Sequence, residues 1–261
     1  MHTASGYRPA GAAPTGAATR PATPPARRRV VDAPTRAFHW LFALSFVGAY
    51  LSADSEHWRA LHVALGYTLA GLLVFRVLYG LVGPRHARIH AMLRRLGGSR
   101  AWLHSLKVAM RDGSVSAIDW RRGQNLMMAL AVLGLLAVAA PLTLSGYGVY
   151  AEWGELLGGD WLEELHEFLG ESMLAIVLAH VALIAGLSVL RRRNQALPML
   201  TGRVDGAGPD LAKRNHGWLA VILVLAVMAF LAREWQQSPA GLFSASTALQ
   251  SPAGKEHDDH D

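Results

Sequence analysis

The sequence predicts an all-α integral membrane protein: four transmembrane helices in a bundle, with a fifth transmembrane helix after them. Three observations carry that expectation. Of the 261 residues, 52% are hydrophobic and only 17% charged, against roughly 25% charged in soluble domains. The apolar residues gather into five runs between polar or Ala/Pro-rich ends. The charges that remain switch sign from one connecting segment to the next.

Taken in order, residues 1–35 are rich in Ala, Pro, Thr and Gly and close on Arg27, Arg28 and Arg29. They show neither helical nor strand periodicity and read as a disordered cytoplasmic segment. Their length and prolines ahead of the first apolar run argue against a signal peptide. The apolar runs are 38–51, 60–82, 126–144, 165–190 and 218–231. A helix needs about 20 residues to cross the hydrocarbon core, and the second, third and fourth runs meet that length. The first is short, but its aromatic flanks extend it into the interface. The fifth has an alternative as a buried or interfacial helix. Pro141, near the end of the third run, is expected to kink or terminate that helix. The loop 84–123 has periodic apolar positions: Ile89, Met92, Leu93 and Leu96, then Trp102, Leu103, Leu106 and Val108. They predict one or two amphipathic helices on the cytoplasmic face, packed on the bundle or used for docking.

The charges give the topology. The segments before 38, at 84–123 and at 191–215 together hold 21 basic and 5 acidic residues. The opposite side holds Asp54, Glu56, Glu152, Glu155, Asp160, Glu163 and Glu164, with an acidic tail, and only Arg59, Arg233 and Lys255 as cations. The positive-inside rule then has one solution: N-terminus cytoplasmic, five crossings of a bacterial inner membrane, C-terminus periplasmic. The net charge of +6 is thus a topology signal, and its partition among loops argues against nucleic-acid binding. Helical spans argue against an outer-membrane barrel. With no cysteine, disulfide scaffolds, thiolate zinc, iron–sulfur clusters, cysteine nucleophiles and covalent c-type haem are excluded.

Ionisable groups within spans are costly and mark function. Four histidines lie in the spans or at their edges: His39, His62, His166 and His180. A fifth, His216, lacks a partner at its depth and reads as interfacial. His166 and His180 are fourteen residues apart, a rotation only about 40° short of four turns and a rise of about 21 Å. They share a helix face at two depths. By depth the four sort into His62 with His166 near the outer side and His39 with His180 near the inner side. Two imidazoles facing each other across helices suit the two axial positions of haem iron. Gly66, Ala64 and Gly170 beside them would leave room for a flat macrocycle, although small residues also serve plain helix packing. Arg36, three residues before His39, and Arg76, fourteen after His62, are candidates to neutralise haem propionates at the inner site; interfacial snorkelling is the alternative. A proton relay is the competing use of the histidines. It would be expected to recruit intramembrane acids, and only Glu167 and Glu171 come near.

The motifs R-x-x-H-W at Arg36–Trp40, L-H-x-x-x-G at Leu61–Gly66 with Arg76 after it, L-H-E at Leu165–Glu167, A-H at Ala179–His180 and N…M-L-T-G from Asn194 to Gly202 resemble the bacterial di-haem cytochrome b561 family, together with the b-type cytochrome subunit of nickel–iron hydrogenases. The resemblance spans about 34–203. It implies a four-helix haem-binding bundle with two haems b ligated by His39, His62, His166 and His180. It further implies electron transfer between the quinone pool and a periplasmic redox protein: a hydrogenase, a dehydrogenase or a cytochrome c. The domain division is then 1–35, a di-haem core at 36–203, a linker and fifth helix at 204–232, and an acidic periplasmic tail at 233–261. The tail's E-H-D-D-H-D ending reads as solvated, with weak metal binding as the alternative. The favoured function is an electron-transfer subunit rather than a stand-alone enzyme. The competing readings are a superoxide:quinone oxidoreductase, a proton or solute transporter, and a membrane anchor.

Overall fold

The structure, a computed structural model, describes residues 27–84, 88, 93–94, 96–114, 116, 118–157 and 159–237. In chain order the elements are β1 (Arg27–Arg29), α1 (Ala33–Leu51), a 3-10 turn (Glu56–Trp58), α2 (Arg59–Val82), α3 (Ser99–Asp112), α4 (Trp120–Tyr150), α5 (Trp153–Leu157), α6 (Trp161–Arg191), α7 (Leu197–Thr201), β2 (Arg203–Asp205) and α8 (Gly217–Gln237). Four helices are long and apolar enough to cross a membrane: Glu56–Val82, Trp120–Tyr150, Trp161–Arg191 and Gly217–Gln237. The chain is an all-α, multi-pass membrane bundle. α1 is not among those four; Arg36 and His39 dilute its first turns.

α1 starts ahead of the apolar run because Asp32 caps it. The Asp32 carboxylate accepts from the Thr35 N–H at 3.2 Å, and Pro34 occupies the first turn, where its missing N–H removes no bond. Asp32 is fully buried and also accepts from the Tyr79 hydroxyl of α2. α4 starts in the same way: Asp119 accepts from the Arg122 N–H at 3.0 Å. The expected interruption at Pro141 takes a milder form. α4 runs through it to Tyr150, as membrane helices can where packing and side chains re-satisfy the freed backbone group.

The pairwise packing follows the chain. α6 lies along α4, α4 packs on α2, α2 on α1, and α8 on α1 and more lightly on α2. The core where they meet is built at helical spacing. α1 gives Phe38, Phe42 and Phe46, α2 gives Leu69 and Leu72, α4 gives Ala139 and Leu142, α6 gives Leu169 and Met173, and α8 gives Leu223. Other large apolar side chains face outward, among them Leu51, Val82, Val189 and Leu190, as contact with lipid requires.

One expectation for the connecting segments changes. Residues 27–29, read as lacking regular structure, form β1 and pair antiparallel with β2, Arg27 opposite Asp205. Three residues carry no readable alternation, and the pairing is held by partners far along the chain: Arg27 with Asp205 at 2.9 Å and the Arg29 N–H donating to Asp210 at 2.6 Å. In the loop 84–123, α3 is the amphipathic helix at its second half, docked with Trp102 against Gly123 of α4. Ile89 and Met92 lie outside the described residues, as do residues 1–26 and the tail from 238 onward.

Candidate functional site

The four span histidines fall at two levels of the bundle. At one end, the imidazoles of His62 on α2 and His166 on α6 face each other, ring centres 6.1 Å apart and planes nearly perpendicular at 87°. Each ring is aimed by backbone. The His62 Nδ1–H donates to the Ala49 carbonyl at 2.8 Å. The His166 Nδ1–H donates to the Leu142 carbonyl at 3.1 Å, and Ser145 Oγ lies 3.2 Å from the same nitrogen. A carbonyl only accepts, so both Nδ1 atoms carry the proton, and in the neutral rings Nε2 keeps its lone pair for a metal. Metal–imidazole bonds of about 2 Å put two facing nitrogens about 4 Å apart; ring centres at 6.1 Å leave room for one metal atom between them.

Why the rings can stand there is a matter of small residues. A Cβ on Gly146 of α4 would lie 2.7 Å from Cε1 of His166, so only glycine lets α4 come this close to the imidazole. A Cβ on Gly66 or Gly170 would meet nothing within 4 Å. These glycines stand one turn from His62 and His166 respectively, beside open space. Gly66 belongs to the wall of a cavity of about 770 Å³ that also includes His62, His166, Tyr67, Tyr147 and Tyr150, within the roughly 300–1,000 Å³ of cofactor sites. Ala64 differs from its expected place: it is 2% exposed and is not part of the cavity wall.

At the other end, His39 of α1 and His180 of α6 interact electrostatically. Their Nδ1 atoms are buried and have no hydrogen-bond partner among the described residues. A buried nitrogen left unsatisfied is the kind of group that an absent ligand would fill. The M-L-T-G segment clamps this end: Arg36 donates to the Leu200 carbonyl at 2.9 Å and Trp40 to the Met199 carbonyl at 3.2 Å. Gly202, at φ +75°, closes α7, and a Cβ on it would lie 2.7 Å from the Val31 carbonyl. Two motifs far apart in sequence, with partners 164 and 159 residues from each other, are therefore one contact. Arg76 is buried and interacts with Asp32 and Tyr79. Arg36 keeps a buried Nε without a partner among the described residues.

Between the two levels lie Phe42, Phe46, Leu72, Leu169 and Met173, all buried. α6 packs along α4 rather than α1 or α2, although its His166 ring faces His62 of α2. That separation is the shape a flat group between facing imidazoles requires. Among the described residues no three His, Asp or Glu side chains gather as a metal site. Two imidazoles alone are too few for a bare zinc-type ion, and they fit a macrocycle that brings its own four nitrogens. The residues present therefore fit haem.

Sequence reasoning singled out the four histidines and paired His62 with His166, the two rings that stand 6.1 Å apart. It missed Gly146 and the carbonyls of Ala49 and Leu142; backbone acceptors leave no trace in residue identity, and one glycine in an apolar helix is no signal.

A family model described as prokaryotic cytochrome b561 matches residues 30–202. No curated protein and no solved structure matches the chain. The matched stretch includes every histidine of both pairs and ends at Gly202; α8 follows it.

Proposed function

The chain belongs to the prokaryotic cytochrome b561 family and is a membrane b-type cytochrome of electron transfer; on that premise we propose that it holds two haems b and passes electrons between a periplasmic redox protein and the quinone pool. His62 and His166 ligate one haem, and His39 and His180 the other. The observation that carries this reading is the facing pair at 6.1 Å, with each Nδ1–H committed to a carbonyl. Bound haem supplies one-electron chemistry at iron, its potential set by ligands and burial.

The chain's own residues do the rest. The Ala49 and Leu142 carbonyls hold the tautomer that presents Nε2. Phe42, Phe46, Leu72, Leu169 and Met173 exclude water between the two levels. Arg36 offers its unpaired Nε to a propionate at the His39/His180 end; Arg76, engaged with Asp32, is the second candidate and also fastens the start of α1. The charge pattern supports a bacterial inner membrane, a cytoplasmic N-terminus and a periplasmic C-terminus, which puts the His62/His166 end outside. Asp54, Glu56 and Glu163 belong to the cavity wall at that end. They favour a partner with a basic face and oppose direct delivery by an anion such as superoxide.

The visible spectrum of purified protein tests the proposal. Two equivalents of haem b per chain, with about one lost in His166→Ala and one in His180→Ala, is the expected result. A colourless protein would return the histidines to proton transfer or to structure.

A further inference from the structure

The cavity beside His62 and His166 has one cation in its wall. Among the described residues forming it, Asp54, Glu56 and Glu163 are acidic and Arg59 alone is a Lys or Arg. Arg59 opens α2 and lies three residues before His62, hence on the same helix face. Its ion pair with Glu56 is loose: Nη1 to Oε2 is 3.9 Å, with the two side chains 71% and 91% exposed. A pair that exposed contributes little, so the guanidinium is free to exchange Glu56 for another carboxylate.

We propose that Arg59 binds the propionate edge of the haem held between His62 and His166, so that this haem stands with its carboxylates toward the start of α2. The inference rests on the reading that a haem is held there. Haem b carries two carboxylates, and a carboxylate placed against an apolar wall needs a paired cation. Val63, Ala70, Leu73, Val74 and Leu144 give the cavity its apolar wall and offer no charge. The three acids repel a propionate, so it can be held in this wall only by Arg59, displacing Glu56 from the guanidinium. The guanidinium fork suits a carboxylate in two-pronged geometry that lysine does not reproduce.

A cation beside the propionates offsets their negative charge and favours ferrous over ferric iron. In a potentiometric titration of the full-length protein, Arg59→Gln is therefore expected to lower the midpoint of one haem and leave the other unmoved. Arg59→Lys should restore most of that shift. A second measurement does not rely on potentials. His180→Ala, which keeps the His62/His166 site, is depleted of haem and reloaded with haem b or its dimethyl ester. The ester is expected to bind several-fold more weakly, and adding Arg59→Gln should abolish that discrimination. Two haems with midpoints unchanged in Arg59→Gln, or ester discrimination that survives the substitution, would overturn the role of Arg59 alone. A wild-type chain that takes up no haem would overturn this inference and the reading beneath it together.

Discussion

The two ends of the bundle carry the same pair of residues and prepare them differently. At the His62/His166 end both Nδ1–H groups are held by carbonyls of neighbouring helices, and an open cavity lies alongside. At the His39/His180 end both Nδ1 atoms are buried and unpartnered among the described residues; what is fixed there is the surrounding frame. Asp32, Tyr79 and Arg76 join the start of α1 to α2, and Leu200 and Met199 tie α7 to Arg36 and Trp40. One end has aimed imidazoles in an open setting, and the other has unaimed imidazoles in a braced one. Preorganised imidazoles lose less freedom when a metal arrives, so the first end should fill with haem more readily, and the second should depend more on its frame.

The largest effect is expected from the proposed ligands. His62→Ala and His39→Ala should each remove about one haem per chain, counted by absorbance. Either substitution emptying both sites would mean that the ends are not independent. Next is Asp32→Ala. Leaving one buried charge without its counterpart costs about 3–5 kcal/mol, and the lost cap about 1 more. Thermal unfolding in detergent should show a large drop in Tm, with haem lost first from the His39/His180 site. Loss from the other site first would reverse the comparison.

Gly146→Ala probes the aimed end. Its Cβ would meet His166 at 2.7 Å, an overpacking that costs typically about 1–3 kcal/mol. The substitution should lower haem occupancy at that site and leave the His39/His180 site filled, which a spectrum of the His180→Ala background resolves. Smallest is Tyr50→Phe. Tyr50 donates to Glu171 at 3.0 Å across α1 and α6, a bond worth about 0.5–1.5 kcal/mol. A shift in Tm of a few degrees with both haems kept is expected; loss of a haem would show that this bond sets the spacing of the helices.

Much of the site is legible because membrane solvent writes strong rules into sequence. Apolar runs of sufficient length mark spans, and charge asymmetry marks sides. The fourteen-residue step from His166 to His180 puts both on one face whatever surrounds the helix. Other features stay hidden for physical reasons. The pairing of Arg27–Arg29 with Arg203–Asp205 joins two three-residue strands, too short for any alternation to be read. α4 passes Pro141, although proline alone predicts a local break. Arg36 and Arg76 look alike as span-edge cations, and only their neighbours separate them: Arg76 is beside Asp32, Arg36 against the Leu200 carbonyl.

The order of amino acids therefore suffices for the long apolar helices, their helical phase and the histidines they carry, since each follows from periodicity and transfer free energy within one segment. Which Nδ1–H finds a carbonyl, how close Gly146 comes to His166, and which arginine stays uncommitted depend on how separate helices approach one another. Those distances arise from packing among residues far apart in the chain, and no local pattern encodes them.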